Sequence, residues 1–171
     1  MIKNYVKGRT YVFIDASNIY HSQKTLGWKI DFLKLKKYLE NNTDLVKIFY
    51  YTAYDPRYKK QRKFLDFLEI IGYIVRKKKV KFIKNSNKEE GGFHKGNLDV
   101  ELTIDAMENK DKFQTFILFS GDSDFEAVIK HMKAYGKNCI VISTKGHISI
   151  ELIKQAKYID IKKLENEIKL G

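Results

Sequence analysis

Two apolar runs in this chain stop on aspartates. Tyr11-Val12-Phe13-Ile14 runs into Asp15-Ala16-Ser17-Asn18, and Phe116-Ile117-Leu118-Phe119 runs into Ser120-Gly121-Asp122-Ser123-Asp124. Open α/β sheets carry their sites outside the carboxyl ends of the strands, beside the point where strand order reverses. If the two strands are neighbours there, Asp15, Asp122 and Asp124 come within reach of one centre. Carboxylates packed that closely repel one another, so they either hold protons or bind a cation. Hard oxygen ligands select Mg²⁺ or Mn²⁺ over zinc. A third stretch, Lys95-Gly96-Asn97-Leu98-Asp99-Val100, puts Asp99 near a helix N-terminus. There it either completes the acidic ring or is an ordinary first-turn carboxylate favoured by the helix dipole. Asp105 follows roughly one and a half turns further on.

The elements that must position these residues alternate between short β-rich runs and longer segments of helical period, the pattern of a parallel sheet covered by helices. Residues 11–15 read as a buried strand. Asp31 caps a helix whose Phe32, Leu35 and Leu39 lie at core spacing, and 46–52 form the next strand. Residues 57–71 put Phe64, Leu65, Leu68 and Ile71 on one helical stripe, with Gly72 where the helix should end. Residues 73–83 read as a basic strand or hairpin, and 84–96, poor in apolar residues, as one long flexible loop. The spacing then predicts a helix over 97–109, a strand over 115–119, a helix over 124–135 stopped near Gly136, and a strand over 138–143. A short helix at 148–156, an edge segment at 158–161 and a charged helix over 161–170 complete the chain.

The length of 171 residues fits a single domain with a proper core. No run approaches the roughly 18 apolar residues of a membrane span, and the first residues do not start a signal-peptide pattern, so a cytoplasmic location with no membrane partner is expected. The single cysteine, Cys139, reads as a buried apolar side chain. Thirty-three Lys and Arg against 21 Asp and Glu leave a net charge of +12, which concentrates polyanions around the protein and makes nucleic acid the leading partner class. Genome bias or thermal adaptation would yield the same excess. The runs holding Lys59, Lys60, Arg62 and Lys63 and then Arg76, Lys77, Lys78, Lys79 and Lys81 are candidates to track a phosphate backbone, and Lys95 to touch phosphate. Lys95 is equally well a solvated loop lysine. Tyr54, Tyr58 and Phe93 are candidates to stack on bases, although aromatics in such folds more often belong to the core. The chain has no phosphate-binding loop, no dinucleotide fingerprint and no serine-nucleophile elbow. Its histidines, His21, His94, His131 and His147, lack metal-ligand spacing.

Three motifs now stand in order: Phe13-Ile14-Asp15-Ala16-Ser17-Asn18, the Lys95-to-Asp105 stretch, and Ser120-Gly121-Asp122-Ser123-Asp124-Phe125. With an apolar strand before the first and third and a helix opening at the second, the chain resembles NYN domains of the LabA-like group, within the PIN-like nuclease fold. The likeness spans nearly the whole chain. It departs from the family's usual pattern where Asn97-Leu98 stands between Lys95-Gly96 and Asp99. The resemblance implies a PIN-like, Rossmann-like three-layer α/β/α sandwich over residues 1–171, with a mainly parallel sheet of about five or six strands. It also implies an acidic pocket in which Asp15, Asp99, Asp122 and Asp124 hold Mg²⁺ or Mn²⁺ for hydrolysis of RNA. Asn18 matches the family's asparagine and would steady Asp15 or a phosphate oxygen, with Ser120 and Asp105 in support. The expected function is a metal-dependent ribonuclease, with a homodimer open. A PIN-like module that binds RNA or protein without cutting, and a phosphohydrolase of small esters, are the rivals.

Overall fold

Each central strand is apolar on both sides, and the fold follows from that. The run Thr115–Phe119 is buried at every position, as a strand must be when helices cover both faces of its sheet. The structure, a computed structural model, describes residues 1–83, 93–95 and 97–171, with 81–83 and 93–95 described in backbone only. Its main sheet contains β1 (Arg9–Asp15), β2 (Asp44–Tyr54), β3 (Ile74–Lys79), β6 (Thr115–Phe119), β7 (Asn138–Ser143) and β8 (Lys157–Asp160). The spatial order is β3-β2-β1-β6-β7-β8, and every pairing is parallel. Between them run α1 (Ala16–Leu26), α2 (Phe32–Asn42), α3 (Lys59–Ile70), α4 (Asp99–Asn109), α5 (Glu126–Ala134) and α6 (Ile150–Gln155), and α7 (Glu165–Ile168) follows β8.

Alternation along the strands builds two cores. Val12, Ile14, Ile48, Tyr50, Ile117 and Phe119 face α1, α2 and α3, while Tyr11, Phe13, Phe49, Phe116 and Leu118 face α4 and α5. The result is the expected three-layer α/β/α, PIN-like arrangement, with six strands in the sheet. From β1 the chain first winds outward through β2 and β3, then returns to place β6 on the other side of β1. The reversal of strand order therefore falls between β1 and β6, the two strands that end in aspartates.

The structure differs from the sequence reading in three places. Helix α1 follows Asp15 directly, where no helix was expected. Its buried stripe is thin, only Ala16, Ile19 and Ser22, so its apolar periodicity is weak. Its two ends carry the signal instead: Asp15 caps the start, and Gly27 ends it at a φ of 75°, a left-handed conformation that only glycine adopts freely. The tail over 161–170 is not one helix. A 3₁₀ turn, Ile161–Leu164, precedes the short α7, and the chain then extends so that Lys169 bridges Ile30 and the Leu170 N–H donates to the Lys29 carbonyl at 2.9 Å. Within 84–96, expected as loop, Phe93–Lys95 forms β5, paired antiparallel with β4 (Lys81–Ile83) as a separate two-stranded sheet. The rest of that expected loop lies outside the described residues.

Candidate metal centre

Asp15 stands at the end of β1 and at the same time caps α1. Its Oδ1 accepts from the Ser17 N–H at 3.0 Å and the Asn18 N–H at 3.3 Å, which turns the carboxylate toward the helix start. Its Oδ2 accepts from the Ser120 hydroxyl at 2.8 Å, across the β1–β6 seam. Ser120 is fully buried and its oxygen also accepts from the Asp122 N–H at 3.3 Å, so one hydroxyl joins the two acidic strand ends. Asp122 in turn caps the 3₁₀ turn Ser123–Phe125, accepting from the Asp124 N–H at 3.0 Å. Between Ser120 and Asp122, Gly121 has no room for a side chain: a Cβ there would lie 1.7 Å from the carbonyl oxygen of His147. The Gly121 carbonyl accepts from the Ser149 N–H at 2.9 Å, so the segment after β7 clamps the turn that presents Asp122.

Asp99 enters from the other face as the first residue of α4. Asn97 holds it twice, its side-chain oxygen accepting from the Asp99 N–H at 2.9 Å and its amide donating to the carboxylate. One carboxylate oxygen from each of Asp99, Asp122 and Asp124 lies within 4.8 Å of the others. Asp15 stands outside that triad but lines the same cleft as Asp99 and Asp122, a cavity of about 440 Å³ at the carboxyl edge of the sheet. The strand ends thus open onto one crevice. Among the described residues, no Lys or Arg forms an ion pair with any of the four.

Burial first, and the neighbouring carboxylates after it, show in the protonation equilibria. Burial pushes the Asp15 carboxyl above the usual aspartate range; the hydrogen bonds from Ser120, Asn18 and Ser17 pull it back, and the Asp122 charge raises it. Burial also raises Asp99, opposed by the Asn97 hydrogen bond and reinforced by the charges of Asp15, Asp122 and Asp124. A set of carboxylate oxygens this close, without cationic partners, fits a hard divalent cation.

The supporting residues divide. Besides its N–H bond to Asp15, Asn18 accepts at its side-chain oxygen from the Ser143 hydroxyl at 3.1 Å, which ties α1 to β7. Asp105 is not brought to the cluster. It is buried, accepts from the Tyr51 hydroxyl at 2.9 Å and pairs with the Arg76 guanidinium at 2.9 and 3.2 Å, bracing α4 against β2 and β3. The basic row on the edge strand β3 is largely engaged with acids. Besides Arg76, Lys78 pairs with Glu101 at 2.7 Å and Lys77 lies 4.0 Å from Glu69, while Lys79 is exposed. The side chains of Lys81 and Lys95 lie outside the described residues, as does that of Phe93. Tyr58 is exposed ahead of α3, and Tyr54 packs partly against the core. The aromatics that do line the cleft are Tyr20, Tyr50, Tyr51 and Phe64. Tyr20 would have been found with α1, one turn after Ala16.

The domain model described as NYN domain matches residues 9–162, a span that contains all three acidic motifs. The chain belongs to the NYN domain family. This NYN domain is 34% identical over 164 residues to the low amplitude and bright protein LabA of Synechococcus elongatus, a match that covers 94% of this chain and 87% of that protein. A crystal structure of a protein of unknown function from Vibrio parahaemolyticus shares the fold, with a TM-score of 0.78 at 24% identity over 96% of this chain and 97% of the other. NYN domains are generally PIN-like nucleases, a class that acts on nucleic acid and usually uses divalent metal. Among the described residues, no helix is long and apolar enough to cross a membrane.

Proposed function

We propose that this NYN domain is a metal-dependent ribonuclease that hydrolyses phosphodiester bonds in single-stranded RNA with Mg²⁺ or Mn²⁺ as cofactor. One observation carries the proposal: oxygens of Asp99, Asp122 and Asp124 gather within 4.8 Å of one another, at the mouth of a cleft that Asp15 also lines. Asp99, Asp122 and Asp124 would hold the ion, with Asp15, fixed by Ser120, as the fourth carboxylate. When bound, such an ion lowers the pKa of a water and offsets charge on the phosphate oxygens. Asp122 and Asp124 are aimed by the clamped turn after β6. Asp99 and Asp124 would coordinate directly or through water, and whichever of the two stands behind water is the proposed acceptor of the attacking water's proton. The net charge of +12 draws the polyanion in, an attraction that weakens as salt rises.

The test is cleavage of labelled single-stranded RNA with Mn²⁺, comparing wild type, wild type with chelator, and Asp122→Asn. Cleavage by wild type alone is the expected result. Cleavage that persists in folded Asp122→Asn, or its absence from wild type with either metal, rejects the proposal. A phosphate monoester in the same assay separates a small-ester hydrolase from a ribonuclease.

A further inference from the structure

Acidic groups make up only part of the cleft's lining. A divalent ion with about six waters takes roughly 180 Å³, at about 30 Å³ per water, so more than half of the 440 Å³ is left over. That remainder is walled by Tyr20 on α1, Tyr50 and Ala53 on β2, and Phe64 and Leu65 on α3. Two of these side chains point to a ligand.

Tyr50 is only 7% exposed, but its hydroxyl is not among the fully buried unpaired groups; it makes no hydrogen bond among the described residues and opens onto the cleft that the residue lines. Two other buried tyrosines are satisfied, Tyr51 donating to Asp105 at 2.9 Å and Tyr73 to the Phe32 carbonyl at 2.7 Å. A hydroxyl that faces the cleft without a protein partner is free to bond what enters it. Tyr20 is the opposite case, an aromatic ring left 55% exposed at the rim. It lies five residues beyond Asp15 along α1, about 7.5 Å at 1.5 Å per residue. The Lys24 ammonium sits over one face of that ring, 4.4 Å from its centroid.

We propose that this half of the cleft is a subsite for the base of the unpaired nucleotide adjoining the scissile phosphate, with Tyr20 stacking on the base and the Tyr50 hydroxyl bonding its polar edge. The inference rests on the ribonuclease reading for its choice of ligand. A free phosphate has no use for the aromatic wall, and a purely apolar ligand would leave Tyr50 unpaired. A base in this position has left its helical stack, so the subsite selects single strands over duplex.

Binding is measured by fluorescence anisotropy, on the intact protein in Ca²⁺, with a labelled single-stranded RNA, the same strand with abasic ribose phosphates, and the duplex. Wild type is expected to prefer the base-bearing single strand. Tyr20→Ala should weaken that strand by about 5- to 150-fold, as stacking on one aromatic predicts, while Tyr20→Phe restores it. Tyr50→Phe should weaken the base-bearing strand by several fold and leave the abasic strand unchanged. Equal binding of base-bearing and abasic strands by wild type, or wild-type affinity in Tyr20→Ala, would each overturn the subsite. A base preference without Mn²⁺-dependent cleavage leaves the subsite standing and removes the ribonuclease reading.

Discussion

Ser120→Ala isolates the hydroxyl that joins the two acidic strand ends. The substitution deletes one oxygen from a fully buried position, so the backbone has no reason to move. Asp15 then loses its 2.8 Å bond at Oδ2 and keeps those at Oδ1, while the Asp122 N–H loses its 3.3 Å acceptor. A hydrogen bond to a charged group contributes about 1.5–3 kcal/mol, and water reaching the open cleft restores part of it, leaving a deficit of about 1–2 kcal/mol. If Asp15 helps hold the ion, that deficit becomes a loss of Mn²⁺ affinity of roughly 5- to 30-fold, near the range found when residues that orient metal ligands are removed. The direction in pH follows from the same bond. Ser120 holds the Asp15 carboxyl down, so its removal moves the acid limb of cleavage to higher pH. Calorimetric titration with Mn²⁺ and a pH profile of RNA cleavage measure both effects. A folded Ser120→Ala protein with wild-type Mn²⁺ affinity and an unmoved acid limb would refute the role given to Asp15.

Two more outcomes follow from the geometry. Asp105→Ala should cost about 3 kcal/mol, below the midpoint for a broken buried ion pair because Arg76 is half exposed, and lower the melting temperature by roughly 6–12 °C; Mn²⁺ affinity of the folded variant should hold, and its loss without loss of stability would make Asp105 a ligand instead of a brace. Metal-free stability should depend on pH through Asp15 and Asp99, whose folded-state pKa values lie above the ordinary value of about 3.9. Their contribution is present below that value and lost as pH rises through the folded pKa. Chemical denaturation of wild type and Asp99→Asn across that window should therefore show a decline that the variant partly lacks, and identical profiles would rule this out.

The parallel sheet was legible because the strands 115–119 and 138–143 are too continuously apolar to face water on either side. The meeting of Asp15 with Asp122 was legible because acidic residues at the ends of such strands have few other places to go. What stayed hidden was carried by single polar groups. Asp15 doubles as the cap of α1, and a helix with only Ala16, Ile19 and Ser22 buried has too little apolar stripe to announce itself. Asp105 sits in the right stretch of sequence for the cluster, but it faces Tyr51 and Arg76, and nothing in its spacing distinguishes a brace from a ligand. The aromatic wall was missed for the same reason as α1: Tyr20 joins the cleft only once Ala16 starts a helix.

The β1–β6 seam also governs when the carboxylate set comes into being. The Ser120–Asp15 bond spans 105 residues, and Asp124 lies further still along the chain. A polypeptide emerging from the ribosome has Asp15 early and lacks its counterparts until β6 and the turn after it have been made. No fragment that stops before Asp124 can assemble the full set, so the charged crevice cannot exist until β6 and the turn after it have joined β1.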